Sequence, residues 1–158
     1  GKVEKARQLL TYPFTLHGKV IRGDQIGRTL GYPTANLFIE ERYKLIPSDG
    51  IYAVHVAIPN DRKNKNQEIY DPFQPSFRKE DGIKMHKGMA YIGHRPTING
   101  MSQNIEVNIF DFSEDIYHQT IRLDFLAFIR HDIKFNGLEE LKNQLAKDKI
   151  DVMRTLDL

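Results

Sequence analysis

From Phe14 onward the pattern is that of strands, with apolar residues recurring at about every second position in runs broken by glycine, proline and asparagine. Strand-like runs lie near 14–22, 34–39, 50–58, 87–94, 103–112 and 119–130. In the fifth, Ile105, Val107 and Ile109 share one face, with Asn104, Glu106, Asn108 and Phe110 on the other. In the sixth, Ile121, Leu123, Phe125, Ala127 and Ile129 alternate with Arg122, Asp124, Leu126, Phe128 and Arg130. No helical period separates these runs. Six strands joined by turns predict an all-β fold, an antiparallel sandwich or barrel.

Helical spacing is confined to the two ends. Val3, Ala6, Leu9 and Leu10 predict a short amphipathic helix that breaks at Tyr12-Pro13. It reads equally as a frayed terminus or as a linker from an upstream domain. Near the other end, Asn136 is a suitable N-cap, and Glu139 and Glu140 fall where the helix dipole favours them. Leu138, Leu141 and Leu145 would form the apolar stripe of a helix reaching about Lys149 or beyond. Residues 59–87 are polar, carry Pro59, Pro72 and Pro75, and predict a long excursion between two strands. Arg62, Lys63 and Lys65 within it could touch a phosphate, though a solvated loop explains them as well.

Composition narrows the function classes. A chain of 158 residues is one domain of ordinary size. With no cysteine, thiol catalysis, zinc-thiolate sites and disulfides are excluded. The formal charge of +2 is too small to argue for a nucleic-acid groove. The longest apolar run, FLAFI at 125–129, is far short of the roughly 18–20 residues that cross a bilayer. The six histidines show neither H-x-H nor H-E-x-x-H spacing, and no G-x-S-x-G element is present.

Four segments could carry chemistry. Gly23, Gly27 and Gly31 are spaced four apart after a strand, which allows close backbone approach to phosphate, with Arg28 adding charge. This is not a Walker A loop, and a tight turn also accounts for it. Thr34 and Asn36 would face the same side of an extended segment and offer neutral oxygens. Such a pair suits Mg²⁺ that arrives with a nucleotide, whose phosphates supply the charge. Ordinary turn residues would look the same. Glu106 is the carboxylate on the polar face of the fifth run, either a general base or an exposed strand residue. Arg130 and Phe135, at the end of the last run, could grip a flat aromatic ligand or simply close a strand-to-helix connection.

Taken together and in order, these segments resemble the riboflavin kinase (flavokinase) family. GKVIRG at 18–23 and GYPTAN at 31–36 resemble its opening, with the Pro-Thr-Ala-Asn signature. YIGHRPT at 91–97, NIEV at 104–107, Asp115-Ile-Tyr117, FIR at 128–130 and LEEL at 138–141 follow in the family's order. The resemblance covers roughly 12–150, apart from the excursion. Asn108 stands where the family often has His, and His118 where Gly is usual.

The resemblance implies a six-stranded Greek-key barrel with a C-terminal helix over 13–158. It implies transfer of the ATP γ-phosphoryl group to the 5′-hydroxyl of riboflavin, giving FMN and ADP in the cytoplasm. Thr34 and Asn36 would bind the Mg²⁺ of Mg-ATP, and Glu106 would be the base. Gly23, Gly27 and Arg28 would cover the nucleotide, with Tyr117 near it. Arg130 and Phe135 would contact the flavin. Residues 1–12 would be the linker helix from an upstream FMN adenylyltransferase domain. Nucleic acid and membrane are not expected partners. The competing expectation is a flavin- or nucleotide-binding barrel without catalysis.

Overall fold

The computed structural model describes residues 1–23, 26–59, 83–97 and 100–157. Its strands are β1 (Phe14–Ile21), β2 (Ala35–Phe38), β3 (Gly50–Pro59), β4 (Ile83–Thr97), β5 (Gly100–Ile109) and β6 (Thr120–Arg130). Helix α1 (Val3–Leu10) precedes them, α2 (Ile26–Thr29) lies between β1 and β2, and α3 (Leu138–Leu156) ends the chain.

The strands close into an antiparallel barrel in the order β1-β2-β5-β4-β3-β6. β3, β4 and β5 lie side by side in chain order, and β6 returns to lie beside β3, which is the Greek-key order. Closure removes every free sheet edge. Alternation then sorts side chains. Leu16, Val20, Val54, Val56, Ile105, Val107, Leu123 and Phe125 fill the interior. Tyr52 meets the rings of Phe125 and Phe128 edge-on, each at 5.3 Å, and donates its hydroxyl to the Ser48 carbonyl at 2.6 Å. The hydroxyl therefore keeps a partner in an apolar setting.

A second apolar cluster lies on the outer face. Ile51, Ala53, Met89 and Phe110 pack there against Val152, Leu145 and Met153 of α3. The C-terminal helix thus covers one side of the barrel.

The strict alternation expected for β6 fails after Phe125. Val54 pairs with Phe125 but Ala53 with Ala127, and Tyr52 pairs with Phe128 but Ile51 with Arg130. Each step leaves one extra residue on β6, the signature of a β-bulge, and each bulge shifts the phase of the alternation by one residue. Phe128 therefore packs on the inner cluster, whereas Ala127 and Ile129 pack outside against α3.

Three other expectations change in detail. The fourth strand starts earlier, at Ile83, where Ile83 to Lys87 pair with β3 despite their polar neighbours. Pro59 ends β3, and residues 60–82 of the expected excursion, including Arg62, Lys63 and Lys65, lie outside the described residues. Asn136 does not cap α3: Gly137 occupies the N-cap, and Asn136 donates its backbone and side-chain N–H to Glu140. Leu138 is exposed, and the buried positions of α3 are Asp148 and Val152. On α1, Val3 enters the core, Leu9 stays exposed, and Glu4 accepts a hydrogen bond from the Phe128 backbone N–H.

Candidate active site

A cavity of about 350 Å³ opens on the outer face of the barrel, between the α2 turn, the β2-β5-β4-β3 sheet and α3. Strand register explains its polar end. Glu106 on β5 is paired with Asn36 on β2 and with Tyr91 on β4. Directly paired residues project to the same face, and so do positions two apart on one strand. With Ile105 and Val107 inside, the outer face receives Glu106, Asn104, Asn108, Asn36 and Tyr91.

Two neutral donors hold the Glu106 carboxylate. The Thr34 hydroxyl donates to Oε2 at 2.9 Å, and the Asn104 amide donates to Oε1 at 2.7 Å. Thr34 sits just before β2, so the stiff sheet fixes the carboxylate while the turn supplies its partner. Asn108 donates its amide to the Pro33 carbonyl at 2.6 Å, which ties that turn to β5. Each bond of this kind contributes roughly 1 kcal/mol and, more usefully here, removes rotamer freedom.

The glycine-rich segment is compact. The Gly27 carbonyl accepts from Tyr32 N–H at 2.8 Å and Leu30 N–H at 3.1 Å. A Cβ on Gly27 would lie 2.3 Å from the Tyr32 carbonyl oxygen. A Cβ on Gly23 would lie 2.1 Å from the Asn36 amide nitrogen. Both glycines are therefore required by close approach. The one-turn α2 behind Gly23 is a feature that the spacing of glycines did not announce.

The opposite end of the cavity is largely apolar, with Ile51, Ile133, Phe135, Leu141 and Leu145 in its wall. Arg130 also lines it, and its guanidinium is anchored from behind. Nε donates to Asp148 Oδ1 at 2.7 Å, Nη2 to Oδ2 at 2.6 Å, and Nη1 to the His131 carbonyl at 2.8 Å. Asp148, only 1% exposed, also accepts from the Gln144 amide at 2.8 Å. At the rim, the Tyr91 hydroxyl donates to Asp132 Oδ2 at 3.0 Å. Burial first, and then the Asp132 carboxylate, push the Tyr91 phenol up to about 12.

Of the residues singled out from sequence, the cavity brings together Gly27, Thr34, Glu106, Arg130 and Phe135. Asn36 is buried beside Gly23, behind the polar end. Arg28 is exposed on α2. Tyr117 lies apart from the cavity wall, its ring 5.8 Å from the Arg22 guanidinium.

Sequence reasoning missed Asp148, Gln144 and Asp132. A signal for Asp148 existed: it falls in the stripe Leu141, Leu145, Asp148, Val152, where an acidic residue on the core side of a helix demands a partner.

Among the described residues, no cluster of three or more His, Asp or Glu could hold a metal ion. The donors at the polar end are a hydroxyl, an amide and one carboxylate. That set suits a hard divalent cation delivered with phosphates and is too weakly charged to hold the ion alone. Also among the described residues, no helix is long and apolar enough to cross a membrane.

Comparison with known proteins bears on the family and the fold. The sequence pattern of the family described as Flavokinase: Riboflavin kinase matches residues 10–156. A bifunctional riboflavin kinase/FMN adenylyltransferase of Haemophilus influenzae is 38% identical over 92% of this chain and 40% of its own length. The chain spans about two fifths of the curated relatives of this kind. A Streptococcus pneumoniae crystal structure named as a macrolide-efflux protein is 35% identical, with a TM-score of 0.77 over 97% of this chain and 42% of that one. The riboflavin kinase of Trypanosoma brucei, 21% identical, shares the fold at a TM-score of 0.57 over 92% of this chain and 81% of its own. With the family's pattern running from one end helix to the other and its barrel present, the chain belongs to the riboflavin kinase (flavokinase) family.

Proposed function

We propose that this chain transfers the γ-phosphoryl group of Mg-ATP to the 5′-hydroxyl of riboflavin, releasing FMN and ADP. The observation that carries the reading is the Glu106 carboxylate, held by Thr34 and Asn104 at the polar end of a cavity whose other end is apolar. A flat apolar ring with a polyol tail fits that polarity, with the tail directed at the carboxylate.

Glu106 takes the proton of the attacking hydroxyl. A positioned base contributes roughly 10²–10⁴-fold. The two neutral donors restrict the carboxylate to one orientation. Thr34 and Asn36 would hold Mg²⁺, which neutralises phosphate charge when bound. The turn over 26–32, built on Gly27, covers the nucleotide and excludes water, and Gly23 keeps Asn36 in place. Arg28 reaches the phosphates from solvent. Tyr117, with Arg22 beside its ring, meets the nucleotide only outside the cavity. Arg130 and Phe135 flank the flavin ring.

In this reading the chain acts in the cytoplasm beside a covalently linked FMN adenylyltransferase domain, since its relatives carry both activities in their names. The test is incubation with riboflavin, ATP and Mg²⁺ and chromatographic separation of riboflavin, FMN and FAD. FMN without FAD is the expected product of this chain alone.

A further inference from the structure

Arg130 is the cavity's cation, yet its charge is already matched. Its Nε and Nη2 face Asp148 as a two-pronged pair, and its Nη1 is bound to the His131 carbonyl. A guanidinium has five N–H groups, so two remain, together with its flat face. A phosphate ligand would meet a cation whose side-on fork and charge Asp148 already takes up. A planar ring needs only the face.

Asp148 is itself locked. It is 1% exposed, and the Gln144 amide, one helical turn away, binds the same Oδ1 that receives Arg130 Nε. Leu141 and Leu145, from the same stripe of α3, stand in the cavity wall. The helix therefore supplies both the apolar surface and the clamp that sets the guanidinium plane.

We infer that Asp148, supported by Gln144, is a positioning residue that turns Arg130 into a charge-neutralised stacking surface for the flavin ring. The inference rests on the proposed kinase reaction for the identity of the ring. It predicts that Asp148 governs flavin recognition and leaves the nucleotide side untouched.

The test is steady-state kinetics on the whole chain, varying riboflavin at saturating Mg-ATP and then ATP at saturating riboflavin. Asp148→Asn is isosteric and removes the charge of the clamp. It is expected to raise the riboflavin KM about tenfold while ATP KM and kcat stay within about twofold. In an Arg130→Ala background the same change is expected to add nothing, because Asp148 then has no guanidinium to orient. A merely structural role would lower the thermal midpoint and disturb both substrates in either background. Gln144→Leu keeps the ion pair and loosens Asp148; it is expected to raise the riboflavin KM about threefold, and it decides the matter if Asp148→Asn does not fold.

An unchanged riboflavin KM in the folded variants, or an effect of Asp148→Asn that adds in full to that of Arg130→Ala, would overturn the inference. No FMN from the unaltered chain would instead overturn the reading of the reaction. Riboflavin fluorescence quenching would then still report whether Asp148 acts through Arg130.

Discussion

Thr34 and Glu106 are 72 residues apart in the chain, and the Thr34 hydroxyl donates to the Glu106 carboxylate across 2.9 Å. The pairing of β2 with β5 creates this contact, placing Asn36 opposite Glu106 and Thr34 two residues before Asn36. The bond orients a carboxylate that also accepts from Asn104, and it belongs to the site more than to the core.

Thr34→Val keeps the shape and removes the hydroxyl. The expected result is a fall in kcat of about tenfold or more, with stability changed by no more than about 1 kcal/mol. Turnover and a thermal melt on the same preparation check both halves. Wild-type kcat would show that the hydroxyl has no part in the reaction.

Gly23→Ala is expected to act on the nucleotide side. Its Cβ would collide with the Asn36 amide, which is buried and cannot swing into solvent. The KM for Mg-ATP should rise several-fold more than the KM for riboflavin, read from the two substrate titrations.

Tyr91→Phe removes the bond to Asp132 and with it a restraint on the segment that carries Ile133 and Phe135. The riboflavin KM is expected to rise about threefold. Because the phenol is raised from 10 to about 12, the folded chain keeps its proton longer than the unfolded chain does. Its contribution to stability is therefore present below pH 10 and lost as pH rises from about 10 to about 12. Ultraviolet titration of wild type against Tyr91→Phe isolates that phenolate.

Acid should destabilise the chain through two imidazoles. Burial, the leading cause, holds His55 and His86 below the ordinary value of 6.5. Just below 6.5 the unfolded chain binds the protons that the folded chain refuses, so stability falls as pH drops through that window. Asp124 acts oppositely: burial raises its carboxyl above 3.8 against the lowering effect of Arg122. The thermal midpoint is expected to fall between pH 7 and pH 5, and the double substitution of His55 and His86 by Asn to flatten that slope.

The barrel was legible because its strands alternate: β1 and β5 sort in and out, with Ile105, Val107 and Ile109 turned inward as the sequence indicates. The phase of β6 after Phe125 was not, since a bulge depends on the partner strand and leaves no mark on local alternation. Gly27, Thr34, Glu106, Arg130 and Phe135 were legible as a set only through their order along the chain, because the contacts between them cross the barrel. The deviant His118 has a backbone reason. It adopts φ 67°, in the left-handed region where glycine is at ease, while its N–H binds the Val20 carbonyl. Asp148 stands out in its stripe, but its partner was hidden by distance, eighteen residues earlier in the chain.

The most direct test of the central claim is FMN formation by the unaltered chain and by Glu106→Gln, each with riboflavin, ATP and Mg²⁺ and with EDTA. The account predicts FMN from the unaltered chain, abolished by EDTA, and a kcat about 10²–10⁴-fold lower in Glu106→Gln with both KM values little changed. Near-normal turnover by Glu106→Gln at saturating substrates would contradict it.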